Sequence, residues 1–253
     1  AKLGVDDLTR TKMGLLSGVD EEVKFALKRC LKYSVSAPYV LRLSENHDLL
    51  SIIIPFVTAC REYIPQLVGP VSNQALEALQ KGSTTMLLLR NLAQDSDNTS
   101  ILANDIELKS FVLFILEWAN TFNSEKSPIF QSHTSYFSEL LIYTLDLMEA
   151  ISSYIAPAKK DDLYFQNLCL IFHYTKDRYC VISILRSLSR LLVRSKSDEE
   201  SAADNLDDGI LNKIVQNLLI DRDEELIIAS LDFLYQYILP GSERIRRLLS
   251  QRE

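Results

Sequence analysis

The chain has 253 residues, 47% of them hydrophobic and 24% charged, which is typical of a folded globular protein and excludes a wholly disordered or fibrous chain. Seven glycines and seven prolines stand beside 42 leucines, a composition that favours helices, and neither GxGxxG nor GxxxxGK(S/T) occurs to cradle a nucleotide phosphate. The formal charge of −7 gives no general attraction to nucleic acid or anionic lipid, and the longest apolar runs, of about six residues, are far short of a membrane span.

The N-terminal region is predicted to be helical but irregular. Proline disfavours helix at the residue before it, so we expect interruptions at Ala37-Pro38 and Ile54-Pro55, and we expect residues 1–72 to cap the first repeat of the array that follows. The chain opens on Ala1 without Met, and we expect it to be a segment of a longer chain. Hydrophobic periodicity and helix-start residues predict the remaining helices, in chain order, at 73–93, 108–119, 136–155, 161–174, 177–194, 207–219 and 223–239.

A weak internal repeat runs through the longer apolar helices. In each, a Leu is followed three residues later by Leu or Met, and the successive spacings are 56, 40 and 46 residues. The last two spacings match armadillo and HEAT units of roughly 40 to 47 residues. We therefore predict an all-α, armadillo/HEAT-like right-handed superhelical solenoid of about four to five repeats over 73–253, in one continuous domain, with an inserted loop at about 122–135 and an acidic connection at about 196–208. The pairs are Leu89/Leu92, Leu145/Met148, Leu185/Leu188 and Leu231/Leu234, and the last four leucines are predicted to be core.

Several longer strings resemble a known family: LRNLAQD at 89–95, YTLDLMEAISSYIAPA at 143–158, ISILRSLSRLLVRSK at 182–196 and IASLDFLYQYILPGS at 228–242. They resemble the family of ninth subunits of RSC, the SWI/SNF-type chromatin remodeller of yeasts. The resemblance implies an armadillo-like region of a nuclear scaffold subunit. It also implies partners among other remodelling-complex subunits, including the N-terminal region of the ATPase subunit.

The repeats do not carry the asparagine ladder with which nuclear-import armadillo proteins hold an extended peptide. The residue two positions after each first leucine is Asn91, Leu147, Ser187 and Phe233. Only Asn91 fits the ladder, so partner binding is expected to use another pattern.

The candidate binding residues are Asn91 and two arginine clusters. The first cluster lies on one stripe of a helix, because its members Arg186, Arg190 and Arg194 recur every four residues. Together with Lys176 and Arg178, this cluster is a candidate groove surface for an acidic partner segment, because an Arg side chain can donate two hydrogen bonds to one carboxylate. The alternative is a solvated face paired with Glu149 or with the 198–208 acidic run. The second cluster, Arg244, Arg246 and Arg247, is a candidate DNA contact; its alternative is the solvated face of a truncated repeat.

The sequence contains few residue patterns that could support catalysis. His47, His133 and His173 have no His or Cys at metal-ligand spacing, and neither G-x-S-x-G nor H-E-x-x-H occurs. We expect no enzyme activity, no cofactor, no metal and no small-molecule substrate. The four cysteines form no CxxC pair, and their apolar neighbours predict reduced, buried thiols. The leading hypothesis is a non-catalytic scaffold, and the alternative is a direct DNA- or nucleosome-binding module.

Overall fold

The computed structural model describes residues 6–124, 134–193 and 200–252. All regular secondary structure in these residues is helical, and their only β-type pairing is an isolated antiparallel bridge between Lys159 and Ser201. The all-α prediction is therefore confirmed. None of the helices described is both long and apolar enough to cross a membrane. The α-helices are α1 (Asp7–Leu16), α2 (Asp20–Ser36), α3 (Leu49–Thr58), α4 (Asn73–Leu92), α5 (Ser96–Asn104), α6 (Ile106–Ser124), α7 (Thr134–Ile151), α8 (Leu163–Tyr174), α9 (Arg178–Leu192), α10 (Asp208–Asn217), α11 (Glu224–Ile238) and α12 (Ser242–Leu249).

The chain divides into two compact units. Unit 1 comprises Ala1–Ile115 with Lys126–Leu147, and unit 2 comprises Leu116–Glu125 with Met148–Glu253. The division into an N-terminal cap up to residue 72 and a single repeat domain stays a prediction.

In unit 1, α2 and α3 both pack against α4, and α1 packs on α2. The close approach of α4 to the turn after α3 requires Gly82, because a Cβ there would lie 1.9 Å from Cys60 Sγ and 3.2 Å from the carbonyl oxygen of Phe56. Leucine and isoleucine side chains fill the interfaces between these helices. Fully buried examples are Leu49, Ile53, Leu88 and Leu89.

The predicted break at Ile54-Pro55 is wrong, since Pro55 lies inside α3. Proline in a helix interior removes one backbone hydrogen bond and crowds the preceding turn. The surrounding residues offset this cost by burial, because Ile53, Ile54 and Val57 are each at most 3% exposed. The other break is confirmed: α2 ends at Ser36, and Pro38 opens a short 3-10 turn.

Helix α5 was not predicted, because its sequence, SDNTSILAN, is mostly polar. Asp95 caps it by accepting hydrogen bonds from the amides of Asp97 (2.9 Å) and Asn98 (3.3 Å). Asn98 is 3% exposed, and its amide group accepts from the Leu43 amide and donates to the Leu92 carbonyl. Helix α5 accounts for part of the 56-residue spacing between Leu89 and Leu145.

The predicted loop at about 122–135 is helical at both described ends. Residues 125–133 lie outside the described part of the chain.

In unit 2, the predicted hairpins α8–α9 and α10–α11 are confirmed. Each helix begins after an aspartate whose carboxylate accepts a hydrogen bond from a first-turn amide, which satisfies one of the unpaired donors at a helix start. The four caps are Asp162, Asp177, Asp207 and Asp223. Helix α9 is buried on most of its circumference, with α8 and α11 packed against it.

One of the four predicted core leucines is exposed. Leu185 and Leu188 are fully buried and Leu234 is 6% exposed, but Leu231 is 50% exposed. In α11 the aromatic side chains of Phe233 and Tyr237 fill the interior, both at 0% exposure. The helix is therefore rotated relative to the predicted register, which turns Leu231 to the solvent.

The acidic connection is only partly solvated. Ser201, Ala202 and Ala203 are buried, and the amide of Ala202 donates to the carbonyl of Ala158 at 3.0 Å. The preceding residues 194–199, including Arg194, lie outside the described ranges.

Candidate functional site

The α9 arginine stripe lies in unit 2. The side chains of Arg186 and Arg190 are 35% and 38% exposed. Arg178 is the first residue of α9, after the Asp177 cap, and is exposed. Arg194, the third member of the predicted stripe, is among the residues that the structure does not describe.

Glu149, near the end of α7, is the first partner of the stripe. Its carboxylate lies 3.8 Å from a guanidinium nitrogen of Arg186 and 3.6 Å from one of Arg190, and it accepts a hydrogen bond from Ser183 Oγ at 3.0 Å. Arg190 also donates to the main-chain carbonyl of Glu149. A cation is favourable there because the last carbonyls of a helix carry partial negative charge.

The start of α11 supplies the other partners. Arg178 donates to both oxygens of Asp223, at 2.7 and 2.6 Å, and this fork lowers the pKa of Asp223 below its ordinary value. Glu225 accepts from Arg178 at 3.2 Å and from Arg186 at 2.9 Å.

The described arginines of this surface are therefore matched by carboxylates. Arg178, Arg186 and Arg190 face three acidic side chains, Glu149, Asp223 and Glu225. The pairing with Glu149 matches the alternative stated for this stripe, whereas the Glu225 and Asp223 pairings were not predicted. Lys176 is exposed, and it makes no ion pair with any described residue. Binding of an acidic partner segment by this stripe stays a prediction.

Asn91 belongs to unit 1, where it holds two helices together. It is half-buried, and its side-chain nitrogen donates to Ser34 Oγ of α2 at 3.0 Å. Its amide nitrogen is therefore engaged within the unit.

The C-terminal arginines mostly contact their own unit. Arg244, 12% exposed, pairs with Asp204, donates to the Tyr237 carbonyl at 3.1 Å and lies 5.3 Å from the centroid of the Tyr237 ring. Arg247 pairs with Asp208 at 2.7 Å and donates to the carbonyl of Leu206. These contacts fasten α12 to the connection before α10. Of the three candidate DNA-binding residues, Arg246 alone is exposed.

Among the residues described, no group of three or more His, Cys, Asp or Glu side chains is placed to hold a metal ion. All four cysteines are free and buried, as predicted. Burial raises the pKa of Cys60 and of Cys169 to about 12, so these thiols are protonated at neutral pH.

Sequence reasoning missed a row of apolar residues on the solvent side of α11. Ile228, Leu231 and Tyr235 are each half-exposed or more, although the helix already buries an apolar face on its other side. A helical-wheel projection of α11 contains this signal, because it places apolar residues on two opposite arcs.

Known proteins similar to this chain include a subunit of a chromatin-remodelling complex. No protein-family model matches the chain. The chain is 25% identical over 245 residues to the chromatin structure-remodeling complex subunit rsc9 of Schizosaccharomyces pombe. This alignment covers 96% of the chain and 29% of that subunit, so the chain spans less than a third of the relative's length. The similarity indicates a distant relation to a chromatin-remodelling subunit.

Proposed function

We propose that the chain is a non-catalytic scaffold segment of an ATP-dependent chromatin-remodelling complex in the nucleus, and that it binds segments of other subunits, including the N-terminal region of the ATPase subunit. The observation that carries the proposal is the similarity to rsc9. Because it runs over 245 residues, or 96% of the chain, it relates the chain as a whole, and not one short motif, to a remodelling-complex subunit.

The helical architecture supports a binding role. Helices α8 and α9, and then α10 and α11, form consecutive hairpins in which α9 is covered on several sides. An inner helix sandwiched between neighbours is typical of armadillo-like and HEAT-like repeats, and we take these hairpins to be such repeats in a right-handed superhelical array. Stacked helical repeats expose long continuous surfaces, which suit helical or extended segments of partners.

In this proposal the α9 arginines have a positioning role. Arg186 and Arg190 connect α9 to Glu149 of α7, and Arg186 also connects it to Glu225 of α11. An acidic partner would have to displace these carboxylates, and it would gain little by exchanging one ion pair for another of the same kind. The network therefore fixes the alignment of helices within unit 2.

Direct DNA binding, the alternative, receives less support. Two of the three C-terminal arginines, Arg244 and Arg247, are occupied by carboxylates and carbonyls of their own unit. A phosphate contact through them would first break these bonds. The formal charge of −7 also opposes approach to a polyanion.

The test is to co-express the chain with the N-terminal region of a yeast remodeller ATPase and to purify the chain by affinity. We expect co-elution in a fixed ratio at 0.3 M salt, and DNA binding that is weak and lost at physiological salt. Failure to co-elute, together with DNA binding that survives physiological salt, would overturn the proposal in favour of the alternative.

A further inference from the structure

The outer face of α11 exposes four large apolar residues in one row. Ile228 is 56% exposed, Leu231 50%, Tyr235 59% and Leu239, directly after the helix, 55%. At about 100° per residue these positions fall within an arc of roughly 80°. We call this row the α11 stripe.

The α11 stripe is additional to the face with which α11 packs in unit 2. Leu226, Phe233 and Tyr237 point the opposite way and are each at most 5% exposed. A helix that is apolar on two opposite faces is normally covered on both, and a contiguous exposed apolar patch marks an interaction site. Nothing in the described part of unit 2 covers the stripe, as its exposed fractions show.

The charges beside the stripe are negative and unbalanced. Glu224 and Asp232 lie on the same solvent side of α11, are exposed, and form no ion pair with any residue that the structure describes. Glu225, by contrast, is neutralised by Arg178 and Arg186. The uncompensated charge of this face therefore comes from two carboxylates.

We propose that the α11 stripe docks an amphipathic helix of another subunit, one whose apolar row is flanked by Lys or Arg side chains. This inference rests on the proposed function, since it specifies the chemistry of one partner segment. The spacing i, i+3, i+7, i+11 forms a ridge that fits between the side-chain rows of a second helix. The basic flanks pair with Glu224 and Asp232, which otherwise remain without a counter-charge.

The first test measures binding of two fluorescent synthetic helices of about 18 residues, each with a leucine row, flanked in one by Lys and in the other by Glu. The intact chain is expected to bind the Lys helix at least about tenfold more tightly than the Glu helix at physiological salt. The variant I228S/L231S/Y235S should lose at least about tenfold of the affinity for the Lys helix.

A matched control removes equally exposed apolar residues elsewhere in unit 2. The variant L163S/L170S/L219S changes leucines that are 49%, 54% and 74% exposed, and it should bind the Lys helix like the unmodified chain. All variants are compared by circular dichroism and melting temperature, so that a loss of binding is read only from folded protein. Equal losses in the stripe and control variants would overturn the proposal.

Charge reversal tests the choice of partner. The variant E224K/D232K keeps the apolar row and should reverse the preference, so that the Glu helix binds more tightly than the Lys helix. An unchanged preference would show that the two carboxylates do not select the partner, and it would contradict the basic-flank part of the proposal.

The stripe variant also separates this inference from the proposed function. If the intact chain co-elutes with the ATPase N-terminal region while I228S/L231S/Y235S binds the Lys helix as tightly as the intact chain does, the scaffold function stands and the docking site is wrong. If the intact chain captures no remodeller segment while the peptide preferences hold, the docking chemistry stands and the proposed complex is wrong.

Discussion

Reversing two arginines of α9 tests the positioning role of the ion network. In the variant R186E/R190E, two carboxylates replace the cations that now face Glu149 and Glu225. Partly exposed ion pairs contribute about 0.2–1 kcal/mol each, and a hydrogen bond from a charged group to a carbonyl about 1.5–3 kcal/mol. Because attraction also turns into repulsion, we expect a loss of roughly 3 kcal/mol in the free energy of unfolding.

The loss is measured by thermal unfolding. For a chain of this size, 3 kcal/mol corresponds to a decrease of about 6–12 °C in melting temperature. The matched control R10E/R246E makes the same change in net charge at two exposed arginines that have no ion pair within the described residues, and it should shift the melting temperature by less than about 2 °C. Adding Glu149→Lys to R186E/R190E should recover part of the loss.

Equal melting temperatures for R186E/R190E and the intact chain would refute the positioning role. If co-elution with the ATPase N-terminal region were lost at the same time, the α9 arginines would instead form a groove surface for an acidic partner segment. A lowered melting temperature with normal partner binding by the folded fraction is the result that the structure predicts.

Three further predictions follow from the packing. In denaturant titrations, Leu188→Ala should lower the free energy of unfolding by about 2–5 kcal/mol, and Leu231→Ala should change it by less than about 0.5 kcal/mol, because only Leu188 is buried. Equal effects of the two substitutions would show that the orientation of α11 is wrong. Gly82→Ala should destabilise unit 1, because its Cβ would collide with Cys60 Sγ. Adding Cys60→Ala to the same chain should restore part of the lost free energy of unfolding. A double-mutant cycle that shows no interaction between the two substitutions would contradict this contact. Burial raises the pKa of Cys30 to about 11 and that of Cys169 to about 12. At pH 8.5 a thiol reagent should therefore label these two thiols at least about 100-fold more slowly in the native chain than in denaturant, as followed by peptide mass spectrometry. Rapid native labelling of either thiol would contradict its buried position.

The sequence predicted the elements whose boundaries are marked by local chemistry. Asp177 and Asp223 cap the helices that they were expected to open, because the capping bond is made within a few residues of chain. Helix α5 escaped prediction for a related reason: its polar residues resemble a loop, and the bonds that bury Asn98 come from Leu43 and Leu92, which lie outside the helix.

The ion pairs of the candidate site could not be predicted from the sequence, because they join residues that are distant in the chain. The pairing of Arg186 with Glu225 joins residues 39 apart in the chain, and no local pattern indicates which carboxylate will face which arginine. Leu231 was misplaced because α11 is apolar on two faces, so that periodicity alone does not decide which face is buried. The same ambiguity concealed the α11 stripe.

The most direct test of the scaffold account is hydrogen–deuterium exchange of the chain, alone and in complex with the N-terminal region of a yeast remodeller ATPase. We expect the α11 amides to gain protection in the complex, because a docked partner suppresses local opening. DNA in place of the ATPase region should leave the amide exchange of all described helices unchanged. Protection by DNA in α12, with none in unit 2 from the ATPase region, would contradict the account.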